Sequence, residues 1–261
     1  YYPSVIPHLA LQVPEAELAS YRGQWQETAY TGKSYLPHAT PRAAYAAMIT
    51  FLDRQVGRVL DTLDELGLSE NTVVFFSSDN GTTHLGAQVD DEFFQSVGPL
   101  RGLKGSVYEG GIRVPMIVRW PGRIQPGTVS QLPTVHYDAL ATIAELAGAA
   151  APVATDGISY VPTLLGRDDE QCRHEFLFWD FAGYGGQLAV RKGRWKGVKQ
   201  GLRKNLQAPL ELYDLQADPG ETTDVAAEHP DVAAAIEAIM LQSRVPPEVE
   251  QFRFGTYPDP G

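Results

Sequence analysis

The chain has 261 residues, of which 43% are hydrophobic and 20% charged, and its formal net charge is -11. This length and composition predict a globular fold of one or two domains and exclude a disordered or fibrous chain. Because no block of lysine or arginine is present to neutralise phosphates, nucleic acid is excluded as a partner.

Cysteine usage and apolar runs narrow the class further. The single cysteine, Cys172, cannot form an internal disulfide, which excludes a small disulfide-stapled scaffold. The longest apolar run is far shorter than the roughly 20 residues of a membrane helix, so no membrane span is predicted. The chain starts abruptly at Tyr1 without an initiator methionine, and we expect an N-terminal part of the same protein upstream.

The first predicted elements are an irregular segment and a helix. Residues 9–41 mix proline, glycine and aromatic residues without a period, which predicts a surface loop of the kind that often carries binding groups. Thr40 suits the N-cap, Pro41 the first helical position and Gly67 the end of the helix. Between them, apolar residues recur every three or four positions at Tyr45, Met48, Leu52, Val56, Val59, Leu63 and Leu66.

The next segments predict an α/β layer fold, because a helix is followed by an apolar strand. Residues 72–77 (TVVFFS) are almost all β-branched or aromatic, which is typical of a central strand covered on both faces. Residues 114–120 predict another strand, and residues 137–147 predict a helix closed by Gly148.

From about residue 152 the pattern changes to short segments separated by glycine, proline and aspartate turns. A last helix is predicted over residues 231–241. We therefore predict two parts, an α/β part over residues 1–151 and a small α+β subdomain over residues 152–261. The antiparallel sheet of that subdomain is predicted to use residues 175–181, 187–191, 194–198 and 210–215.

Asp79 and Asn80 directly follow the first predicted strand, and loops at the carboxyl ends of α/β strands commonly bind ligands. A carboxylate and an amide oxygen are hard ligands suited to calcium or magnesium, although two are too few for a complete site. The alternative is an ordinary turn, because aspartate and Asn-Gly are favoured in turns for reasons unrelated to metals.

Residues 100–113 place three basic residues, Arg101, Lys104 and Arg113, among four glycines. Glycine lets the backbone approach an oxyanion closely, and lysine can place a point charge on it, which predicts a sulfate or phosphate site. The order of residues is not that of a P-loop. The alternative is a flexible loop with solvated charges.

The histidines are candidates for proton transfer, because an imidazolium can protonate a leaving alkoxide or phenoxide near neutral pH. Taken singly, each is more often structural, and their spacing does not predict a zinc site. The nucleophile is missing from this set: the G-x-S-x-G elbow is absent, and Cys172 lies in a turn-like stretch. The histidines considered are His8, His38, His84, which follows Asp79 closely, and His136.

Six short motifs spread along the chain carry a family resemblance. They are PH at residues 7–8, TVVFFSSDNG at 72–81, GPLRG at 98–102, WPG at 120–122, RWK at 194–196 and LYDL at 212–215. Together they resemble the sulfatase family of the alkaline phosphatase superfamily, especially arylsulfatases and N-acetylgalactosamine-6-sulfatase-like enzymes. The resemblance covers nearly the whole chain and implies a partial alkaline-phosphatase-like mixed sheet flanked by helices.

The resemblance also implies roles for single residues. Asp79 and Asn80 resemble two ligands of one calcium ion, and Lys104 resembles the lysine that grips the sulfate. His8 resembles the histidine near the scissile ester oxygen, and His84 resembles a substrate-binding loop histidine of part of the family. The implied substrate is an aryl or carbohydrate sulfate ester, and family habit implies the periplasm or the outside of the cell.

The nucleophile that the resemblance implies is a formylglycine made from a C/S-x-P-x-R signature, N-terminal to the matched region. The chain lacks that signature, so residues 1–261 alone are expected to be inactive and to bind calcium poorly. Two alternatives stay open: a phosphate or phosphonate monoester hydrolase of the same superfamily, and a non-catalytic carbohydrate-binding module. The second would use Tyr21, Trp25, Tyr30 and Tyr35.

Overall fold

A computed structural model of the chain describes residues 1–83, 89–150 and 154–258. The chain forms two compact units, one of Tyr1–Val74 with Thr82–Ser96 and one of Phe75–Gly81 with Val97–Gly261. Within the described ranges, no helix combines the length and the apolar character needed to cross a membrane. The domain boundary predicted at residue 151 falls outside these ranges and stays a prediction.

The first unit contains three α-helices, α1 (Glu15–Ala19), α2 (Pro41–Glu65) and α3 (Asp91–Phe94), and a 3-10 turn over Ser69–Asn71. The predicted limits of α2 are confirmed, because Pro41 is its first residue and Gly67 adopts a φ of +66° just beyond its end. Glycine is favoured there because it adopts the left-handed conformation without steric cost.

The core of the first unit corrects one expectation. The predicted irregular surface segment contains α1, and three of its leucines are buried against the N-terminal half of α2. The small side chains of Ala43 and Ala44 let these leucines approach the helix closely. Farther along α2, Leu52, Val56 and Leu63 are half-buried, whereas Val59 and, just after the helix, Leu66 are 44% and 65% exposed, so the apolar stripe is fully buried only at its beginning. The core residues are Leu9, Leu11, Leu18, Ala43, Ala44, Met48 and Val89.

The second unit begins with a two-stranded sheet of β1 (Val74–Ser77) and β2 (Met116–Arg119). The prediction that β1 is covered on both faces was wrong for the described structure, in which its first three residues are only half-buried. Two strands offer too few neighbours to enclose either one. The same reason leaves Ile117 of β2 62% exposed.

In the described part of the second unit, the helices before the next sheet are α4 (Glu109–Ile112), α5 (Asp138–Leu146) and α6 (Val161–Leu164). The helix predicted over residues 137–147 is confirmed as α5, and Gly148 follows it with a φ of +64°. Short 3-10 turns lie at Asp168–Glu170 and Glu250–Phe252.

The predicted antiparallel sheet is confirmed. Its strands pair in chain order and carry apolar side chains on both faces. One face packs on the last helix, where Leu188, Val190 and Leu212 meet Ile236 and Met240. The strands are β3 (Leu177–Phe181), β4 (Gln187–Lys192), β5 (Trp195–Lys199) and β6 (Glu211–Asp214), and the helix is α7 (Pro230–Gln242).

The opposite face of this sheet holds the segment just before α4. Val107 and Tyr108 are buried there against Ala189, Val198 and Tyr213. This placement follows from the two-residue period of a strand, which turns Ala189 away from Leu188 and Val190. The sheet therefore anchors the glycine-rich segment that the sequence singles out.

A buried ion cluster strengthens the same anchor. Lys196 Nζ of β5 lies 2.8 Å from Glu109 Oε1 and 2.9 Å from Glu221 Oε1, and the lysine is 0% exposed. The Glu109 backbone N–H donates a hydrogen bond of 2.6 Å to Glu221 Oε2. Burial raises the pKa of Glu221, an effect that the Lys196 charge opposes.

Replacing Lys196 by methionine should lower the free energy of unfolding of the chain by about 3–5 kcal/mol, because two buried carboxylates lose their cation. The matched control is Lys192→Met, since Lys192 pairs with Glu175 at 3.0 Å in an exposed position. An exposed pair is worth at most about 1 kcal/mol. Urea denaturation compares the two, and equal losses would contradict a special contribution from the buried cluster.

Candidate active site

Two consecutive glycines of α4, Gly110 and Gly111, form the centre of the candidate site. The loop after β1 contacts them directly, because the Gly81 N–H donates a hydrogen bond of 2.9 Å to the Gly111 carbonyl oxygen. A Cβ atom on Gly81 would lie 2.0 Å from the Gly110 carbonyl oxygen. Only glycine permits this approach, so the Asp79-Asn80 turn is held against the helix by backbone contact.

The loop that carries Lys104 contacts the same two glycines. The Gly110 N–H donates a hydrogen bond of 2.7 Å to the Arg101 carbonyl oxygen. A Cβ atom on Gly110 would lie 2.1 Å from the Gly102 carbonyl oxygen, and one on Gly111 would lie 2.1 Å from the Ser106 carbonyl oxygen. The helix thus brings together the loop of the predicted metal ligands and the loop of the predicted sulfate-binding lysine.

Asp79 and Asn80 lie in a turn whose backbone is held by serine side chains. Ser78 Oγ donates a hydrogen bond of 2.9 Å to the Asn80 carbonyl oxygen, and Ser77 Oγ donates one of 3.1 Å to the Pro115 carbonyl oxygen. The Asp79 side chain is exposed and Asn80 is half-buried. Among the described residues, the exposed Asp79 carboxylate is therefore accessible to a ligand.

The Asp79 and Asn80 side chains meet part of the coordination that calcium requires. The donors are hard oxygens of the kind calcium prefers, but calcium takes six to eight of them. In the described ranges, no three His, Cys, Asp or Glu side chains gather as a metal would require. The pair suits calcium in kind and supplies only part of its coordination.

The three basic residues of the glycine-rich loop have different surroundings. Arg101 Nη1 donates hydrogen bonds of 2.8 Å to Tyr213 Oη and 2.9 Å to the Glu221 carbonyl oxygen. Arg113 Nη1 lies 3.9 Å from Glu109 Oε2. Lys104 is half-buried, and no described residue makes an ion pair or hydrogen bond with its ammonium group. Among these three, Lys104 is the residue for which the described part of the chain offers no such partner.

His8 belongs to the first unit, and its neighbours orient the imidazole ring. His8 Nδ1 lies 2.7 Å from the Leu9 carbonyl oxygen, and Tyr35 contacts the ring edge-on at a centroid distance of 6.0 Å. A carbonyl oxygen can only accept a hydrogen bond, so Nδ1 carries the hydrogen. Nε2 is then the atom that holds or donates the exchangeable proton.

The other predicted histidines contribute less. His84 lies outside the described residues. His38 Nδ1 accepts a hydrogen bond of 3.1 Å from the Thr40 N–H and thereby supports the start of α2. A histidine that the sequence analysis missed, His174, places Nε2 2.7 Å from Asp138 Oδ1, and Asp138 also accepts a hydrogen bond of 2.9 Å from the Ile158 N–H. This cluster ties α5 to the segment before β3.

The four aromatic residues proposed for glycan binding do not form one surface. Tyr21 and Trp25 stack at 6.0 Å, and Trp25 packs on the rings of α3. Tyr30 is buried, and its hydroxyl accepts hydrogen bonds from the backbone of Lys33 and Ser34. The packing of these side chains accounts for their presence without a ligand.

Comparison with known sequences identifies the class of this chain. A sequence profile described as "Sulfatase" matches residues 7–149, and one described as "N-sulphoglucosamine sulphohydrolase, C-terminal" matches residues 103–245. The first match covers more than half of the chain. The chain belongs to the sulfatase family, and its fold is that of sulfatases of the alkaline phosphatase superfamily.

Individual relatives agree with this assignment. A sulfatase of Formosa agariphila is 35% identical over 84% of this chain and 42% of its own length. The steryl-sulfatase of Mus musculus is 36% identical over 75% of this chain and 36% of its own length. The solved structure of Ps i-CgsB in complex with k-i-k-neocarrahexaose matches 90% of this chain and 47% of that chain, at 26% identity and a TM-score of 0.70. The chain spans less than half the length of each.

Replacing Gly110 by alanine should destabilise the chain by about 1–3 kcal/mol, because the new methyl group overlaps the Gly102 carbonyl oxygen. The control is Gly57→Ala in α2, where a Cβ atom would have nothing within 4 Å. That change should stabilise the chain by roughly 0.5–1 kcal/mol through helix propensity. Urea denaturation measures both, and a neutral Gly110→Ala would contradict the close packing around α4.

Proposed function

We propose that this chain forms the metal-binding, sulfate-binding and leaving-group side of a sulfuric ester hydrolase. One observation carries the proposal: Lys104 has no partner among the described residues, and its loop packs on the glycine pair that also holds the Asp79-Asn80 turn. An ammonium group without a partner among the described residues and two oxygen donors on a loop packed on the same helix suit an anionic oxyester. Membership of the sulfatase family supports sulfate over phosphate as the group bound.

Lys104 would neutralise charge on the sulfuryl oxygens. The negative charge on these oxygens and on the leaving oxygen changes during the reaction. A preorganised cation stabilises that charge most in a site from which water is largely excluded. A half-buried lysine meets this condition better than an exposed one. Its loop is held by backbone hydrogen bonds, so little reorganisation is needed when the ester arrives.

Asp79 and Asn80 would hold a calcium ion together with ligands from outside this chain. When bound, such an ion supplies Lewis-acid stabilisation of the sulfuryl oxygens. The role of the two residues is to offer the ion one carboxylate and one amide oxygen from a turn fixed by Ser77 and Ser78. The nucleophile, expected to be a formylglycine, would also come from outside residues 1–261.

His8 would protonate the leaving oxygen of the ester. Its Nδ1 is occupied by the Leu9 carbonyl oxygen at 2.7 Å, which directs the exchangeable proton to Nε2. An imidazolium with a free Nε2–H is suited to this step because histidine changes charge near neutral pH. The Tyr35 ring, which contacts His8 edge-on, would keep the imidazole from rotating.

The substrate class proposed is an aryl or carbohydrate sulfate. One relative is a steryl-sulfatase, and the solved structure of Ps i-CgsB holds neocarrahexaose. Both names refer to ring-bearing molecules, and we extend that feature to the substrate of this protein.

In the complete protein that carries these residues, Lys104→Ala should lower kcat/KM for 4-nitrophenyl sulfate by about 10²–10³-fold, as expected for loss of one oxyanion contact. The control is Lys204→Ala, which removes an exposed ammonium from a turn after β5 and should have no effect. Steady-state kinetics measure both variants. A Lys104→Ala enzyme with unchanged kcat/KM would remove Lys104 from this role, and faster hydrolysis of 4-nitrophenyl phosphate than of the sulfate by the wild type would favour the phosphoryl alternative.

Asp79→Asn in the complete protein should weaken calcium binding, because affinity depends on the number of charged ligands. Isothermal titration with calcium should show a higher dissociation constant, and half-maximal activity should need more calcium. Asp168→Asn, a change at an exposed 3-10 turn, serves as the control. Identical titration curves for the wild type and Asp79→Asn would contradict the assignment.

A further inference from the structure

The loop between β3 and β4 places an exposed aromatic ring beside the residue that follows Lys104. A Cβ atom built on Gly105 would lie 2.6 Å from the ring of Tyr184, so the ring rests directly on that glycine. Adjacent Cα atoms are about 3.8 Å apart. The distance from the Tyr184 ring to the Lys104 backbone is therefore roughly the width of one sugar ring.

The contact is fixed by hydrogen bonds from the same hairpin. Gln187 Nε2 donates a hydrogen bond of 2.8 Å to the Gly105 carbonyl oxygen, and its Oε1 accepts one of 3.3 Å from the Val107 N–H. Gln187 is 3% exposed, so this link is shielded from water. These two hydrogen bonds join the hairpin to the Lys104 loop.

The loop is built to hold the ring outward. Tyr184 is 64% exposed and has a φ of +49°, which is uncommon for a tyrosine and costs conformational energy. Phe181 lies beside it with a centroid distance of 6.0 Å and an interplanar angle of 31°. A Cβ atom on Gly183 would lie 2.6 Å from the Phe181 ring, so that glycine makes room for the pair. Phe181 and Tyr184 together present an exposed aromatic surface on which a ring can stack.

We propose that Tyr184 contacts the ring of the leaving group when the sulfate ester is held at Lys104, and so selects esters of ring-bearing alcohols, either sugars or aromatic alcohols. The inference rests on the proposed function. An aromatic face stacks on an aryl ring or on the apolar face of a sugar, and it gains no comparable contact with a bare sulfate ion. Tyr184 is thus assigned to leaving-group recognition and Lys104 to the sulfate.

The test uses the complete protein and three variants, Tyr184→Asn, Tyr184→Phe and Lys104→Ala. Asparagine removes the ring but tolerates a positive φ, and phenylalanine keeps the ring. The substrates are 4-nitrophenyl sulfate, galactose 6-sulfate and a steroid sulfate, and the ringless probe is inorganic sulfate, measured as a competitive inhibitor. Thermal denaturation of each variant checks that the fold is retained.

Tyr184→Asn should raise KM by about 3- to 10-fold for the ring-bearing ester that the wild type hydrolyses best, the range expected for one aromatic stacking contact. The inhibition constant of Tyr184→Asn for inorganic sulfate should stay at the wild-type value. Tyr184→Phe, which keeps the ring, should have the wild-type KM. Lys104→Ala should instead weaken inhibition by inorganic sulfate.

Two results would overturn the inference alone: an unchanged KM in Tyr184→Asn, or a parallel loss of inhibition by inorganic sulfate in that variant. The second result would mean that Tyr184 only supports the Lys104 loop. Failure of the wild type to hydrolyse any ester of the panel would instead overturn the proposed function, and the inference with it.

Discussion

The absence of side chains at Gly110 and Gly111 is the constraint on which the candidate site depends. Carbonyl oxygens of the Lys104 loop occupy the space where two Cβ atoms would stand, and Gly81 approaches from the loop after β1. Close backbone contact of this kind also satisfies buried N–H and carbonyl groups, as the Gly81–Gly111 and Gly110–Arg101 hydrogen bonds do. Two loops that are separate in the sequence thereby pack on the same short helix, α4.

That helix cannot hold its own position. With four residues it lies far below the length at which an isolated helix is stable in water. The buried Lys196 and Glu221 bind its first residue, Glu109, and the sheet covers Tyr108 beside it. Burying three ionisable groups is costly, and hydrophobic residues would often be as stable. The contribution of the cluster is positional, because its ion pair and hydrogen bond hold Glu109, and with it the start of α4, at one place on the sheet.

Local signals explain which parts of this molecule the sequence predicts. The limits of α2 follow from Pro41 and Gly67, whose backbone preferences act within a single turn, and the antiparallel sheet follows from short alternating segments between turns. The contacts of Lys196 could not be predicted in the same way, because Glu109 lies 87 positions away. Its only local sign was a lysine two positions before Val198, on the face of β5 that the strand period predicts to be buried. The roles of Asp79, Asn80 and Lys104 were predicted from the family resemblance, and the packing of their two loops on Gly110 and Gly111 is visible only in three dimensions.

Charge bears on the choice of Lys104 as the proposed anion-binding residue. A chain with a net charge of -11 repels an anion at long range, so the proposed sulfate site would need a local cation whose field is not cancelled. Arg101 is stacked 3.9 Å from the centre of the Tyr108 ring and lies 3.8 Å from Glu211, and Arg113 faces Glu109. The planar guanidinium suits the several fixed contacts of Arg101, whereas the compact ammonium of a lysine can adapt to a bound oxyanion. We therefore propose Lys104, rather than Arg101, as the cation that would meet the sulfate group.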